Sequence, residues 1–300
     1  MKFGAVKSLE GIDLTLPKID LAFKVETSEP FLARVGLPQW NRNDIKHFYP
    51  QGTRDELTYY STQFNSIELN ATFFRVFPKS VFDKWYQSTP SDFIFFPKII
   101  REISHLRKIQ DYEELIDETV VATSNLKEKL GMTFLQMHDG FRPTDEHFDR
   151  LAGFIEYWKG KTAKPLALEA RHTEWHNDPD SAKRYYDLME ANGVTNLITD
   201  TPGRRDVLHM HLTTPVAYVR FVAANDPTDY ERLDDWVEQI AKWKGQGLQE
   251  LDFIVHQNPS TNVAAIARYF VEKLNARIGT NLAVPTILTR PVRADGALFG

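Results

Sequence analysis

Short apolar runs of strand length alternate along this chain with longer segments whose apolar positions recur at helical spacing. The runs occupy residues 32–37, 66–69, 93–96, 132–137, 166–168, 195–199, 217–221 and 251–255, and each ends in polar residues. Strands alternating with amphipathic helices favour a parallel sheet, and eight such units in 300 residues predict an α/β fold in which the sheet closes into a (β/α)8 TIM-type barrel. Helices are predicted over 54–64, 112–130, 145–158, 179–191, 230–243 and 262–274, where apolar side chains fall on one face. Gly131, Gly193 and Gly247 stand where helices should stop and are expected in left-handed C-cap conformations. Unit six is compressed, and its Thr201-Pro-Gly-Arg-Arg opening suits a helix poorly, so helix six is expected to be short or missing. Residues 1–31, with Gly4, Gly11, Pro17 and Pro30, read as an irregular lead-in around the barrel base. The barrel itself spans 32–278, and 279–300 form a Gly- and Pro-bearing tail of the same single domain.

A content of 42% hydrophobic residues is enough for one large core. The formal charge of −5 gives no support to a duplex nucleic-acid partner, which normally requires a basic face. There is no cysteine, so disulfides, thiolate metal sites and a cysteine nucleophile are excluded. The chain has no uncharged apolar stretch approaching about 18 residues and no apolar leader, so no membrane association is expected and a cytoplasmic protein is the default.

In such barrels the chemistry sits where the strands end, at their carboxyl side. Strand two ends Ile67-Glu-Leu-Asn-Ala-Thr, and alternation puts Glu68, Asn70 and Thr72 together towards the interior. Strand three ends at Lys98, and strand seven carries Tyr218-Val-Arg220. Cations inside apolar strands need carboxylates or an anionic ligand to meet them. Strand five supplies Glu169 and Arg171 on one face, followed by His172 and Trp175. Gln136 and His138, then Asp200, then His256 and Asn258, stand at the ends of strands four, six and eight. A polar residue at nearly every strand end predicts a built cavity, although each taken singly reads equally well as a buried structural group.

Ordered words along the chain carry a resemblance. Trp40 with Phe48-Tyr-Pro50, Tyr59-Tyr60, the run from Ile67 to Arg75, Trp85 with Thr89-Pro90, and Phe93 to Lys98 resemble the YecE-like family, also called domain of unknown function 72. Phe134-Leu-Gln136, Leu168-Glu-Ala-Arg171 with Trp175, and Tyr218-Val-Arg220 continue it across residues 32–275. The resemblance implies a barrel with a polar pocket at its carboxyl face and no settled activity. Departures fall on the rim: Arg34-Val-Gly-Leu-Pro replaces a glycine-rich start, Phe221-Val-Ala-Ala-Asn replaces a His-Gly pair, and Phe253-Ile-Val-His-Gln-Asn258 replaces an aromatic, asparagine-rich tract.

The leading functional reading is an enzyme acting on a small anionic or polar substrate, with no cofactor required. Glu68 or Glu169 is the candidate acid or base, and Lys98 and Arg220 stabilise negative charge. Trp40 and Trp175 cover the ligand, which Asn70, Gln136, Arg171, Asp200 and Asn258 contact. Glycoside hydrolysis is disfavoured, since Gln136 and Arg220 stand where the commonest barrel glycosidases place carboxylates. A divalent-metal hydrolase or isomerase would draw ligands from Glu169, Asp200, His138, His172 and His256, with His209-Met-His211 as a further pair. An imine at Lys98 ranks below an ion pair with Glu68 or Glu169. A noncatalytic ligand- or nucleic-acid-associated binding protein is the alternative of a different class.

Overall fold

Strands β1 (Leu32–Leu37), β2 (Ser66–Leu69), β3 (Ile94–Pro97), β4 (Thr133–Gln136), β5 (Leu166–Glu169), β6 (Thr195–Asn196), β7 (Ile198–Asp200), β8 (Val216–Ala223) and β9 (Glu250–Gln257) follow one another around a barrel. The structure is a computed structural model that describes residues 4, 6–21, 30–45, 47–260 and 262–288. All paired strands are parallel. One ladder runs β3-β2-β1-β9-β8-β7 and a second runs β4-β5-β6. Two seams join them. At the first, β3 meets β4 through single bridges at Phe95–Leu130 and Lys98–Phe134. There Gly131 N donates to Phe95 O at 3.0 Å and Ile99 N to Phe134 O at 2.9 Å. At the second, Leu197 interrupts what is otherwise one continuous strand, so β6 and β7 together fill the sixth barrel position.

Helices α1 (Glu56–Tyr60), α2 (Lys79–Gln87), α3 (Glu113–Thr123), α4 (Asp145–Lys161), α5 (Glu174–Asn177), α6 (Pro179–Asn192), α7 (Thr228–Gln246) and α8 (Val263–Ile278) cover the outside. α2 is an element that the sequence reading passed over, although Phe82 and Trp85 give it an apolar face. The compressed sixth unit carries only a 3-10 turn, Pro202–Val207. Asp178 starts α6 by accepting from Ser181 N at 2.9 Å ahead of Pro179, and Gly193 ends it in the left-handed region at φ 64°. Gly247 closes α7 the same way. Gly131 does not: its φ is not positive, and it is needed because a Cβ there would lie 2.5 Å from Ile94 Cγ2 at the β3–β4 seam.

The core has two compartments. Between strands and helices lie large apolar layers, which include Phe48, Trp236, Trp243 and Phe270 on one side and Phe154, Trp158 and Trp175 on the other. Inside the barrel Phe96, Met132, Phe134, Ala167, Leu197, Tyr218 and Ile254 form a separate plug. That plug divides the polar groups at the two barrel ends. Below it Arg34 pairs with Glu250 and, at 3.0 Å, with Asp252, whose carboxyl is pushed well above the usual range by burial and by Glu250. Gly36 on the inner wall is equally constrained, since a Cβ would meet Ser66 O at 2.3 Å, and this backbone atom belongs to the paired β2. Gly36→Ala is expected to destabilise by about 1–3 kcal/mol, read from chemical denaturation, because the two strands must part.

The described part of the lead-in, residues 4 and 6–21, runs down the outer side of α7, from Gly4 O, which accepts from Gly203 N, to Ile19 O, which accepts from Gln239 Nε2 at 2.8 Å and Trp243 Nε1 at 3.0 Å. Leu21 N then donates to Gln246 Oε1 at the foot of the helix. At the other terminus, 279–288 returns along α8, with Leu282 and Ile287 packed on the outer core. The remaining tail residues expected at 289–300 lie outside the described residues.

Candidate functional site

Strand register sets the site. Gln136 on β4 lies level with Glu169 on β5, and Thr199 on β7 lies level with Arg220 on β8. All four face the barrel axis just above the apolar plug, at the carboxyl ends of their strands. Glu68 enters from β2, Lys98 from the residue after β3, and His256 from β9.

Arg220 is the centre of the cluster. Its Nε donates to Glu68 Oε2 at 3.0 Å and its Nη2 to Glu68 Oε1 at 3.1 Å. Its Nη1 donates to Glu169 Oε2 at 2.6 Å and to Gln136 Oε1 at 3.2 Å. One planar fork thus ties three strands together, which an ammonium could not do. Glu68 also accepts from Asn70 Nδ2 at 2.8 Å, and Glu169 accepts from Thr199 Oγ1 at 3.0 Å and Arg171 Nε at 2.7 Å. Burial alone would raise both carboxyls, but the guanidinium charges outweigh it. Glu169 is held down at about 2, and Glu68 is held well below the usual carboxylate range. Both are anions at any physiological pH, so neither is set up to give a proton, and the geometry of a glycosidase acid is absent.

Lys98 has a different environment. Its Nζ donates to Gln136 Oε1 at 2.8 Å and lies 4.1 Å from the centre of the Phe73 ring. Among the described residues it makes no ion pair, because Arg220 and Arg171 occupy the carboxylates. Burial lowers its pKa to about 7, helped by repulsion from Arg220 and Arg171. Next to Phe73 stand His105 and His138, with ring centres 5.0 Å and 5.1 Å apart in sequence along the rim. Burial and the neighbouring cations bring His105 down to about 4, so it is neutral. His105 belongs to a π-helical turn, Glu102–Leu106, in the loop after β3. Sequence reasoning missed it by stopping at the strand's last residue.

The structure brings together Glu68, Asn70, Lys98, Gln136, Glu169, Arg171 and Arg220. His256 Nε2 lies 3.4 Å from Glu68 Oε1, too poorly aimed for a hydrogen bond, and its pKa is lowered by burial. Asn70 and His256 also border a cavity of about 480 Å3 with Gln39, Asp44, Asn258 and Ser260, so Asn258 lines the mouth.

Other expected site residues lie elsewhere. Asp200 faces outwards, because it is one residue past the inward Thr199. It accepts from Trp236 Nε1 at 2.8 Å, pairs with Arg232 at 2.8 Å and also with Arg205, locking α7 to the barrel. Trp175 is fully buried between Phe141, Phe148 and Tyr185 in the helix layer, and its indole N–H donates to Phe141 O. Trp40 packs edge-on to Trp85, ring centres 5.5 Å apart, and lines a separate cleft of about 870 Å3 with Arg75, Phe77 and Lys84 on the barrel flank. That cleft is larger, but the charged groups converge at the mouth. Thr72 does not share the face of Glu68. β2 ends at Leu69, the chain turns into a 3-10 segment, and Thr72 Oγ1 donates to Leu69 O and Lys98 O instead.

The candidate metal ligands are scattered in the same way. Glu169 points to the axis and Asp200 to the helix layer, while His172 sits beside Glu174 in a loop. His209 stacks on His176 at 4.3 Å and His211 on Tyr186 at 3.9 Å, away from the mouth. Among the described residues no three carboxylate or imidazole groups gather as metal ligands.

Comparison with known proteins agrees with this architecture. A crystal structure of a DUF72 family protein from Enterococcus faecalis V583 superimposes with a TM-score of 0.68 at 23% identity, over 81% of this chain and 96% of that one. One from Thermotoga maritima MSB8 gives 0.65 at 22% identity, over 81% and 99%. The UPF0759 protein YunF of Bacillus subtilis strain 168 is 27% identical over 175 residues, which is 56% of this chain and only 60% of that protein. No helix among the described residues is long and apolar enough to cross a membrane. The profile of the family described as "Protein of unknown function DUF72" matches residues 34–288, nearly the whole of the barrel, and the chain therefore belongs to that family.

Proposed function

We propose that this protein is an enzyme that acts on a small anionic or highly polar substrate at the carboxyl mouth of its barrel. One observation carries the reading: two guanidiniums, Arg171 and Arg220, hold two carboxylates, Glu68 and Glu169, and a third cationic group, Lys98, is enclosed beside them with only Gln136 to accept from it, in a low-dielectric setting. With Lys98 protonated the cluster holds one positive charge in excess, and a bound anion offsets it. Lys98 and Arg171 are the groups for substrate. Arg171 keeps 14% of its side chain exposed, whereas Arg220 is enclosed by its partners. Glu68 and Glu169 act as fixed counter-charges that aim the cations, in place of the acid or base role expected from sequence.

The test is a panel of small carboxylates and phosphate monoesters, screened by thermal shift and then titrated by calorimetry at two salt concentrations. At least one member is expected to bind, with affinity falling as salt rises. Arg171→Met is expected to weaken that ligand by about 1.5–3 kcal/mol, or roughly tenfold to a hundredfold. A panel with no binder, or a binder indifferent to Arg171→Met, overturns the reading. A noncatalytic sensor would bind in the same way, and turnover of the ligand separates the two.

A further inference from the structure

We infer that Lys98 is a nucleophile that forms an imine with a small carbonyl compound bearing a carboxylate, a 2-oxo acid by class. This deepens the function proposed above and rests on it. The expectation that Glu68 or Glu169 would keep Lys98 charged does not survive the geometry. Arg220 takes both oxygens of Glu68 and one of Glu169, and Arg171 and Thr199 take the other. What remains for Nζ is a neutral acceptor, Gln136 Oε1 at 2.8 Å, which Arg220 Nη1 shares.

The rest of the setting favours a free amine in the same way. The Lys98 side chain is buried with its Nζ over the Phe73 face, and the Phe134 ring centre lies 5.9 Å away. Of the charges that act on it, Arg220 and Arg171 each weigh more than Glu169 or Glu68. Half of the side chain is unprotonated near pH 7, about a thousandfold more than an ordinary lysine. The residue stands at the carboxyl end of the third strand, where a substrate entering the mouth meets it. The iminium restores a third cation beside two carboxylates, and the carboxylate of a 2-oxo acid offsets that charge while placing its adjacent carbonyl carbon beside Nζ.

The step balances with one proton from solvent. Neutral Nζ adds to the carbonyl carbon, forming the C–N bond while a proton passes from nitrogen to the former carbonyl oxygen. That hydroxyl then leaves as water, taking up the solvent proton, and the iminium remains.

Trapping with glyoxylate and sodium cyanoborohydride at pH 7, followed by peptide mass mapping, tests this on the intact protein. Hydride reduces the iminium and leaves a carboxymethyl group on the lysine that reacted. Lys98 is expected to be labelled at least about tenfold faster than the exposed Lys183, and faster by glyoxylate than by acetaldehyde. Gln136→Glu, which offers Nζ a carboxylate and restores its charge, is expected to slow labelling about tenfold. Labelling of Lys98 no faster than of Lys183 overturns the imine. Equal rates with the two aldehydes overturn the carboxylate requirement. The anion panel, run without reductant, separately decides whether the mouth binds anions, so the imine can fail while the broader function stands.

Discussion

Arg220→Met is expected to lower the unfolding free energy by about 3–5 kcal/mol. The substitution keeps much of the apolar stem but leaves Glu68 and Glu169 facing each other in the barrel with no guanidinium between them. Glu68 would retain Asn70, the long bond from the Tyr218 hydroxyl and the poorly aimed His256, and Glu169 would retain Arg171 and Thr199, so Glu68, left without a guanidinium, takes most of the loss. Arg220→Lys keeps one charge but cannot reach two carboxylates and Gln136 at once, and is expected to fall between the two. Urea unfolding at pH 7 measures both. A loss below about 1 kcal/mol for Arg220→Met would show that the carboxylates find solvent or another partner, and that Arg220 does not organise the site.

The same pair predicts an acid response. A carboxylate held below its unfolded value of about 4.3 contributes stability above that pH and loses it as pH falls towards the folded value. For Glu169 the window therefore runs from about 4.3 down to about 2, and for Glu68 it extends further into acid. In Arg220→Met both carboxyls move upwards, so the variant is expected to lose less further stability than the parent between pH 5 and pH 3.

Much of this site was legible because strand residues obey a two-residue alternation. Glu68, Gln136, Glu169, Thr199 and Arg220 lie within paired strands, and parity together with the barrel rule puts all five on the axis. Legibility ends where the strand ends. Thr72 follows Asn70 by two, yet the chain has already turned into a 3-10 segment and the alternation no longer holds. Asp200 misleads for the opposite reason. It is the last residue of β7, at the right height, but its parity is outward, and the indole and guanidinium that satisfy it come from α7, far along the sequence. Trp175 shows that a large aromatic just past a strand can as well seal the helix layer as cover a ligand. The unpaired state of Lys98 could not be read from sequence at all. It depends on which of several cations wins the two carboxylates, a competition decided by the three-dimensional placement of side chains from four strands.

That competition leads to the sharpest expected pH effect. Lys98→Met is expected to stabilise the protein relative to wild type below pH 7, with the advantage shrinking by on the order of 3 kcal/mol as pH rises to about 10. In the folded state Lys98 releases its proton near pH 7, whereas in the unfolded chain it does so near 10.4. Below pH 7 both states are protonated, and the native state bears the full cost of an ammonium enclosed by Phe73, Arg171 and Arg220. Between the two values the unfolded chain binds more protons than the native one, so wild-type stability rises with pH. Met fills a similar volume, and Gln136 Oε1 keeps its bond from Arg220 Nη1, so the substitution leaves no buried acceptor alone. Comparing unfolding free energies of wild type and Lys98→Met at pH 6.5 and pH 9.5 cancels the other titrating groups, which both proteins share. A difference that does not change between those pH values means that Lys98 titrates as an ordinary lysine. The free amine that the imine requires would then be missing at neutral pH.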